Sequence, residues 1–364
     1  MSDAEELSRQ EKFSGTKDVA EKLRFEEKKL EAYLSDMIDG FEGPMEVKAF
    51  KGGQSNPTYQ LITPTKKYVM RRKPPGTLLP SAHAVDREYK VINALHGIGF
   101  PVPRPYLLCE DESIVGTIFY VMDCVDGRIF WEPDIKGVDR NERIAIYDSM
   151  NETIARLHTV DYKAIGLEDF GRPGNYFARQ ISRWSKQYRA SESETIVEMD
   201  RLMEWLPENI PEDDSTSIVH GDYRLDNMIL HPTEPKVIAV LDWELSTIGH
   251  PLADFTYHMM QWRMPSLEGA SGTATIETLD HVALGIPSET EYAEAYCRRT
   301  GRESIPNMDY YMAYNFFRLA GILQGIVGRV RDGTAASDHA AANADAVRPL
   351  ADRAWTFAQA AGAV

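Results

Sequence analysis

Residues 217–244 constrain the fold more than any other stretch: S-I-V is followed by H-G-D-Y-R-L-D-N and then by M-I-L-H-P-T-E-P-K-V-I-A-V-L-D-W-E. Short apolar runs bounded by Gly, Pro, His and Asn read as buried strands joined by turns, not as helix. A strand therefore leads into a polar loop, and a hairpin over residues 228–242 leads out of it. Anchored strands at both ends hold the polar side chains of such a loop at fixed positions. Asp222 stands five residues before Asn227 and twenty before Asp242, the residue that closes the hairpin.

Phosphoryl transfer needs three groups of this kind. One carboxylate orients or deprotonates an attacking hydroxyl, while an amide oxygen and a second carboxylate hold Mg²⁺ against nucleotide phosphates. The spacing H-x-D-x-x-x-x-N across His220, Asp222 and Asn227 matches the catalytic loop of kinases. Asp222 is thus the candidate base, and Asn227 and Asp242 are the candidate Mg²⁺ ligands, both hard oxygen donors. His220 is expected to orient the loop through hydrogen bonds rather than to move protons.

The rest of the chain divides by pattern. Residues 1–18 are polar and expected to be mobile, and residues 19–38 carry Leu23, Leu30, Leu34, Met37 and Ile38 at helical spacing. Then E-V-K-A-F, T-Y-Q-L-I-T and K-Y-V-M-R-R, separated by K-G-G-Q-S-N-P and P-T-K, read as an antiparallel meander. A helix over residues 86–96 and strands near 106–110 and 116–123 complete the first third. Beyond Gly127 helical periodicity dominates, over residues 144–158, 177–188, 196–206, 253–262, 289–300 and 308–330, with a closing helix in the Ala-rich tail despite Pro349. The expected fold class is α+β: a small antiparallel-sheet N-lobe over residues 19–122, a hinge at 123–129, and a larger, mainly helical C-lobe over 130–364 that carries the catalytic loop.

Two further elements suit a nucleotide. Gly52 and Gly53, followed by Ser55 and Asn56, lie in a turn between two strands, where free backbone N–H groups can cover phosphates. The turn is not a Walker A loop, because G-x-x-x-x-G-K-[ST] is absent. Arg71 occupies the place on the meander where a phosphate-binding lysine is usual, and Glu88 in the next helix is its natural partner. Arginine replaces a compact charge by a planar fork able to grip phosphate oxygens in pairs.

Composition narrows the partners. The 40 basic and 56 acidic residues leave a net charge of −16, which disfavours nucleic acid and anionic membranes. The three cysteines are far apart and form no C-x-x-C pair. The charged N-terminus has no signal-peptide core, and no apolar run approaches membrane-spanning length, so a cytoplasmic location is expected. Oligomeric state is left open by the sequence.

G-G-Q-S-N-P-T-Y, Y-V-M-R-R-K-P-P-G, D-R-E-Y, H-G-D-Y-R-L-D-N and L-D-W-E-L-S-T-I-G-H-P-L-A-D-F together resemble the aminoglycoside phosphotransferase-like family, which includes choline kinases. The likeness is to the subgroup of kinase domains found alone or fused to acyl-CoA dehydrogenases, and it runs from about residue 20 to the end. It implies a two-lobed protein-kinase-like fold, with ATP, or GTP in some members, and Mg²⁺. The adenine is then expected beside Met122, Asp123, Cys124 and Val125. His220, Arg224 and Asp254 are expected to support the loop, Asp254 by bracing it. Arg71 departs from the usual lysine, and His250 stands in G-H-P where antibiotic kinases commonly have G-D-P. Arg318, in an otherwise apolar helix, is expected to meet a structural acid or an anionic substrate, and Arg183, on a basic stripe beside Trp184, is a second candidate for an acceptor site. The leading expectation is a kinase acting on a small-molecule hydroxyl, such as a hydroxyacyl compound or its CoA thioester. The alternatives are a catalytically silent nucleotide-binding module and an aminoglycoside phosphotransferase.

Overall fold

A computed structural model describes residues 14–51, 56–75, 83–265, 275–331 and 344–364 of the chain. It mixes strands and helices, and it divides into two compact units. The first gathers Met1–Trp131, Ala164–Leu167 and Asp226–Ser246; the second gathers Glu132–Lys163, Glu168–Leu225 and Thr247–Val364. The boundary therefore runs through the H-G-D-Y-R-L-D-N loop, and the hairpin after it joins the first unit instead of the helical lobe expected from the sequence. Backbone pairing explains the difference. Arg128 and Leu230 exchange hydrogen bonds at 2.8 Å, and the Val240 N–H donates to the Pro101 carbonyl at 2.9 Å.

The first unit is built on a six-stranded sheet in the order β1-β2-β3-β4-β6-β5, all neighbours antiparallel. The strands are β1 (Thr16–Lys17), β2 (Glu46–Phe50), β3 (Thr58–Ile62), β4 (Lys67–Arg72), β5 (Pro105–Cys109) and β6 (Phe119–Asp123). β1 falls within the segment expected to be mobile; it pairs Thr16 with Phe50. Along β2 and β3 buried and half-buried residues alternate, as period-two side chains on a sheet with one packed face must. β4 is flanked on both sides, and its last five residues are all buried.

Helix α1 (Glu27–Met37) sets Leu30 and Leu34 on this sheet against Val47, Tyr59, Leu61, Met70 and Phe119. The sequence suggested one helix from residue 19. Instead a 3₁₀ turn over Glu21–Leu23 precedes α1. The Leu23 carbonyl accepts from the Tyr59 hydroxyl at 3.0 Å and from Arg72 Nη2 at 2.8 Å, and these bonds take the place of a helical i+4 bond. Helix α2 (Val85–Gly97) buries Val85, Glu88, Val91, Ile92 and Leu95. A carboxylate on an apolar helical face calls for a partner.

The second unit is mainly helical: α3 (Arg140–Thr159), α4 (Tyr176–Ser191), α5 (Val197–Glu208), α6 (Pro251–Met259), α7 (Glu289–Thr300), α8 (Met308–Arg331) and α9 (Ala344–Ala360) are its long members. Asp139 caps α3 through the Glu142 N–H, and Ser288 with Glu291 forms a capping box on α7. Small residues let α8 approach α4. A Cβ at Gly328 would stand 2.7 Å from Ser191 Cβ, so only glycine admits this crossing. Strands Ser217–Val219 and Thr247–Gly249 pair antiparallel, and they carry the chain into the loop at Asp222 and into α6. No helix among the described residues is long and apolar enough to cross a membrane.

Candidate active site

The first unit holds a cavity of about 260 Å³. Its apolar wall is made by Val69, Ile92, Met122, Val125, Ile129, Ile229 and Val240, and its polar wall by Arg71, Glu88, Asn227 and Asp242. Strand alternation places Val69 and Arg71 on one face of β4, while Met70 and Arg72 turn to the other. Arg72, 2% exposed, is satisfied by the Tyr59 hydroxyl and the Val115 and Leu23 carbonyls. Arg71 is also buried, which excludes an exposed basic strand end.

Arg71 is the hub of the polar wall. Its Nη1 lies 3.0 Å from Glu88 Oε1, and its Nη2 lies 2.7 Å from Asp242 Oδ1 and 3.4 Å from Glu244 Oε2. Burial opposes the charged guanidinium, but Glu88, Asp242 and Glu244 together hold its pKa above the ordinary arginine value. For Glu88, burial pushes the carboxyl up, against the pull of Arg71. Asp242 adopts a left-handed backbone conformation at φ 64°, an arrangement that the paired carboxylate helps to compensate. Glu244 also accepts from Asn56 Nδ2 at 3.4 Å, and Asn56 Oδ1 lies 3.0 Å from His83 Nδ1. Gly52, Gly53 and Ser55 lie outside the described residues.

The Met122 to Val125 segment, which also lines the cavity, leaves β6. The N–H groups of Asp123 and Cys124 donate to the carbonyls of Arg104 and Lys67, at 2.8 and 3.4 Å. The Asp123 carboxylate is held by Lys66 at 2.7 Å and by the Tyr106 hydroxyl at 2.5 Å, and Cys124 Sγ accepts from Gln60 at 3.4 Å. These side chains fix the segment's course. Asn227 follows from the 3₁₀ turn Leu225–Asn227, and its carbonyl accepts from the Leu241 N–H at 2.8 Å, which ties it beside Asp242. Among the described residues no three His, Cys, Asp or Glu side chains converge on a metal-binding cluster. A cation here would rest on one carboxylate, one amide oxygen, phosphate oxygens and water, a donor set that suits Mg²⁺.

In the second unit α6 grips the start of the loop. Asp254, 2% exposed, accepts from the His220 and Gly221 N–H groups at 2.7 and 2.8 Å, and pairs with His158 Nε2 at 3.2 Å. Burial alone would raise the Asp254 carboxyl; the contacts with His158 and His220 hold it below its ordinary value. His220 is fully buried, and its Nδ1 accepts the Asp222 N–H at 3.2 Å. One turn along α6 from Asp254, the Tyr257 hydroxyl donates to Asp222 Oδ1 at 2.8 Å. Arg224 Nε lies 3.9 Å from the same oxygen.

Arg318 donates from Nη2 to the Gly221 carbonyl at 2.7 Å, and its guanidinium lies 4.7 Å from the Tyr257 ring and 5.8 Å from that of Trp184. It thereby supports the loop, a role different from the acceptor contact expected from the sequence. Arg183 is exposed over the other aromatic contact, 5.2 Å from the Trp184 ring. Sequence reasoning also passed over Glu244 and Tyr257. The spacings were there to read: Glu244 lies two residues beyond Asp242, and Tyr257 three beyond Asp254 on the same helical face.

Residues 46–309 match the sequence model of the APH phosphotransferase enzyme family. The chain is 44% identical over 348 residues to acyl-CoA dehydrogenase family member 11 of Rattus norvegicus, an alignment covering 93% of this chain and 44% of that protein. It thus spans less than half the length of that relative. A crystal structure from Ralstonia eutropha JMP134, of a protein provisionally described as an aminoglycoside phosphotransferase, is 52% identical. The two superpose with a TM-score of 0.84 over 93% of this chain and 99% of the other. Spectinomycin phosphotransferase in complex with ADP and spectinomycin shares the fold at 11% identity, with a TM-score of 0.59 over 91% and 98% of the two chains. The fold is thus kinase-like, and the chain belongs to the APH phosphotransferase enzyme family.

Proposed function

We propose that the chain is a Mg²⁺-dependent small-molecule kinase that transfers the γ-phosphoryl group of ATP, or of GTP, to a metabolite hydroxyl. The observation that carries this reading is the cavity that joins an apolar wall at Met122 and Val125 to a polar wall of Arg71, Asn227 and Asp242. The apolar end suits a purine and the polar end suits phosphates. Asp222 accepts a hydrogen bond from the acceptor hydroxyl and takes its proton as the new O–P bond forms and the bond to the ADP leaving group breaks. Arg71 offers its guanidinium N–H groups to phosphate oxygens. Mg²⁺, when bound, neutralises charge on the phosphates, and Asn227 and Asp242 are the residues that would hold it. Gly52, Gly53, Ser55 and Asn56 are the residues we propose to cover the phosphates; of these, Asn56 lies among the described residues.

The acceptor we favour is a hydroxylated acyl compound or its CoA thioester. The 44% identity to a protein named as an acyl-CoA dehydrogenase family member supports that class, and the exposed Arg183 beside Trp184 is available to an acidic group. We place the protein in the cytoplasm, and its net charge of −16 supports a reading without nucleic-acid or anionic-membrane partners. The test is phosphate transfer from Mg²⁺–ATP across a panel of hydroxyacyl-CoAs, amino alcohols and aminoglycosides. Transfer to a hydroxyacyl acceptor supports the reading; transfer to aminoglycosides alone identifies an antibiotic kinase instead.

One observation favours a second reading. Arg71 already occupies Asp242 Oδ1 at 2.7 Å, and a pair left closed would give a nucleotide-binding module without transfer. Nucleotide binding with no phosphorylation of any acceptor would establish that alternative.

A further inference from the structure

We propose that Tyr257 is a positioning residue for Asp222, holding one carboxylate oxygen of the base through its hydroxyl while Arg318 clamps both the tyrosine ring and the loop. The inference rests on Asp222 being the base. The Tyr257 hydroxyl donates to Asp222 Oδ1 at 2.8 Å, and the Arg318 guanidinium sits 4.7 Å from the ring centre while bonding the Gly221 carbonyl at 2.7 Å. Two helices therefore converge on three consecutive loop residues. From α6, Asp254 holds the N–H groups of His220 and Gly221 and Tyr257 holds the side chain of Asp222; from α8, Arg318 holds the carbonyl between them.

Holding the backbone of Asp222 does not by itself fix its carboxylate, because the χ2 torsion is broad and admits several orientations. A neutral donor fixed to one oxygen selects among them without supplying a proton of its own. Burial and the charge of Asp222 both push the Tyr257 phenol above its ordinary pKa, so it remains a donor at neutral pH. The arginine over the ring face restrains the tyrosine and polarises it. Such a hydrogen bond to a charged group contributes to the geometry of the transfer step and not to nucleotide affinity.

The experiment uses the full chain with Mg²⁺–ATP and water as acceptor, read as release of inorganic phosphate, together with ATP affinity and thermal midpoint. The variants are Tyr257→Phe, Tyr257→4-fluorophenylalanine, which keeps the bulk but lacks the donor, and Tyr257→3-fluorotyrosine, which keeps the hydroxyl. Loss of a hydrogen bond to a charged group predicts that kcat falls about tenfold or more for the two donor-free residues. KM for ATP should remain unchanged, and 3-fluorotyrosine should preserve turnover. Equal loss with all three replacements would assign Tyr257 a packing role and overturn the inference. Retained turnover with all three would overturn it as well. Turnover unaffected by Asp222→Asn would instead remove the base on which it rests, a failure that the tyrosine series cannot imitate.

Discussion

Arg71 and Asp242 stand 2.7 Å apart, guanidinium nitrogen to carboxylate oxygen, on a side chain whose other terminal nitrogen holds Glu88 at 3.0 Å. A lysine would bring a single ammonium to this place, whereas the planar fork of arginine reaches two carboxylates from different elements at once. The substitution of the usual lysine thus does more than preserve charge. It links α2, through Glu88, to the segment that carries the proposed metal ligand.

Removing the fork should be costly. Arg71→Met leaves Glu88 buried without its cation, and breaking a buried pair in this way typically costs about 3–5 kcal/mol. The double variant Arg71→Met with Glu88→Leu should recover most of that stability in denaturant unfolding without recovering nucleotide affinity. Arg71→Lys should retain Glu88 and weaken ATP binding less than Arg71→Met.

Asp254 accepts two backbone N–H groups of the loop, and an amide can accept with only one of its two arms. Asp254→Asn therefore turns an NH₂ group toward a backbone donor or toward His158. The expected loss is about 1–3 kcal/mol of stability, with a fall in turnover and little change in ATP affinity. Calorimetry alongside steady-state kinetics checks both parts.

Acid stability should be set in part by two buried histidines. Burial lowers His258 to about 4, and burial likewise lowers His250 to about 4 against the pull of Asp213. His258 Nδ1 faces the Tyr223 carbonyl at 3.1 Å and its Nε2 faces the Tyr292 hydroxyl at 2.8 Å, so the neutral ring with its proton on Nδ1 satisfies both. Between an unfolded pKa of about 6.5 and these folded values, the unfolded chain binds more protons than the native one. Stability should consequently be intact above about pH 6.5 and decline as pH falls toward 4, by up to about 3 kcal/mol per histidine. Denaturant midpoints across that interval test it, and His258→Asn should flatten the slope.

Gly127 marks where the chain passes the hairpin. A Cβ there would stand 2.3 Å from the Leu230 carbonyl oxygen and 2.4 Å from Ile229 Cγ2. Gly127→Ala should destabilise the first unit by about 1–3 kcal/mol through overpacking. Faster amide exchange at Leu230, whose N–H donates to Arg128, is the local readout.

Much of this was legible from local pattern. Period-two alternation and turn residues located β2, β3 and β4, and helical spacing located α2 and α7 within a residue or so at their ends. The pairing of Arg71 with Glu88 followed from a cation on a strand and a carboxylate on the next helix. What escaped was decided by distant partners. α1 starts late because Tyr59 and Arg72 occupy the Leu23 carbonyl, and the hairpin joins the first unit because Arg128 and Pro101 pair with it. Arg318 looked available to an acceptor because nothing in the sequence of α8 reveals the Gly221 carbonyl opposite it. Tyr257 escaped for the same reason, since its partner lies 35 positions away in the chain.

The proposed role of Asp222 is to take the proton of the acceptor hydroxyl during phosphoryl transfer. Its most direct test is transfer of γ-phosphate from Mg²⁺–ATP to a hydroxyacyl-CoA acceptor, compared between the native chain and Asp222→Asn at equal nucleotide saturation. The native chain should turn over, and the variant should bind ATP with unchanged affinity but lose turnover by about 10²-fold or more. Equal turnover in both proteins would contradict it.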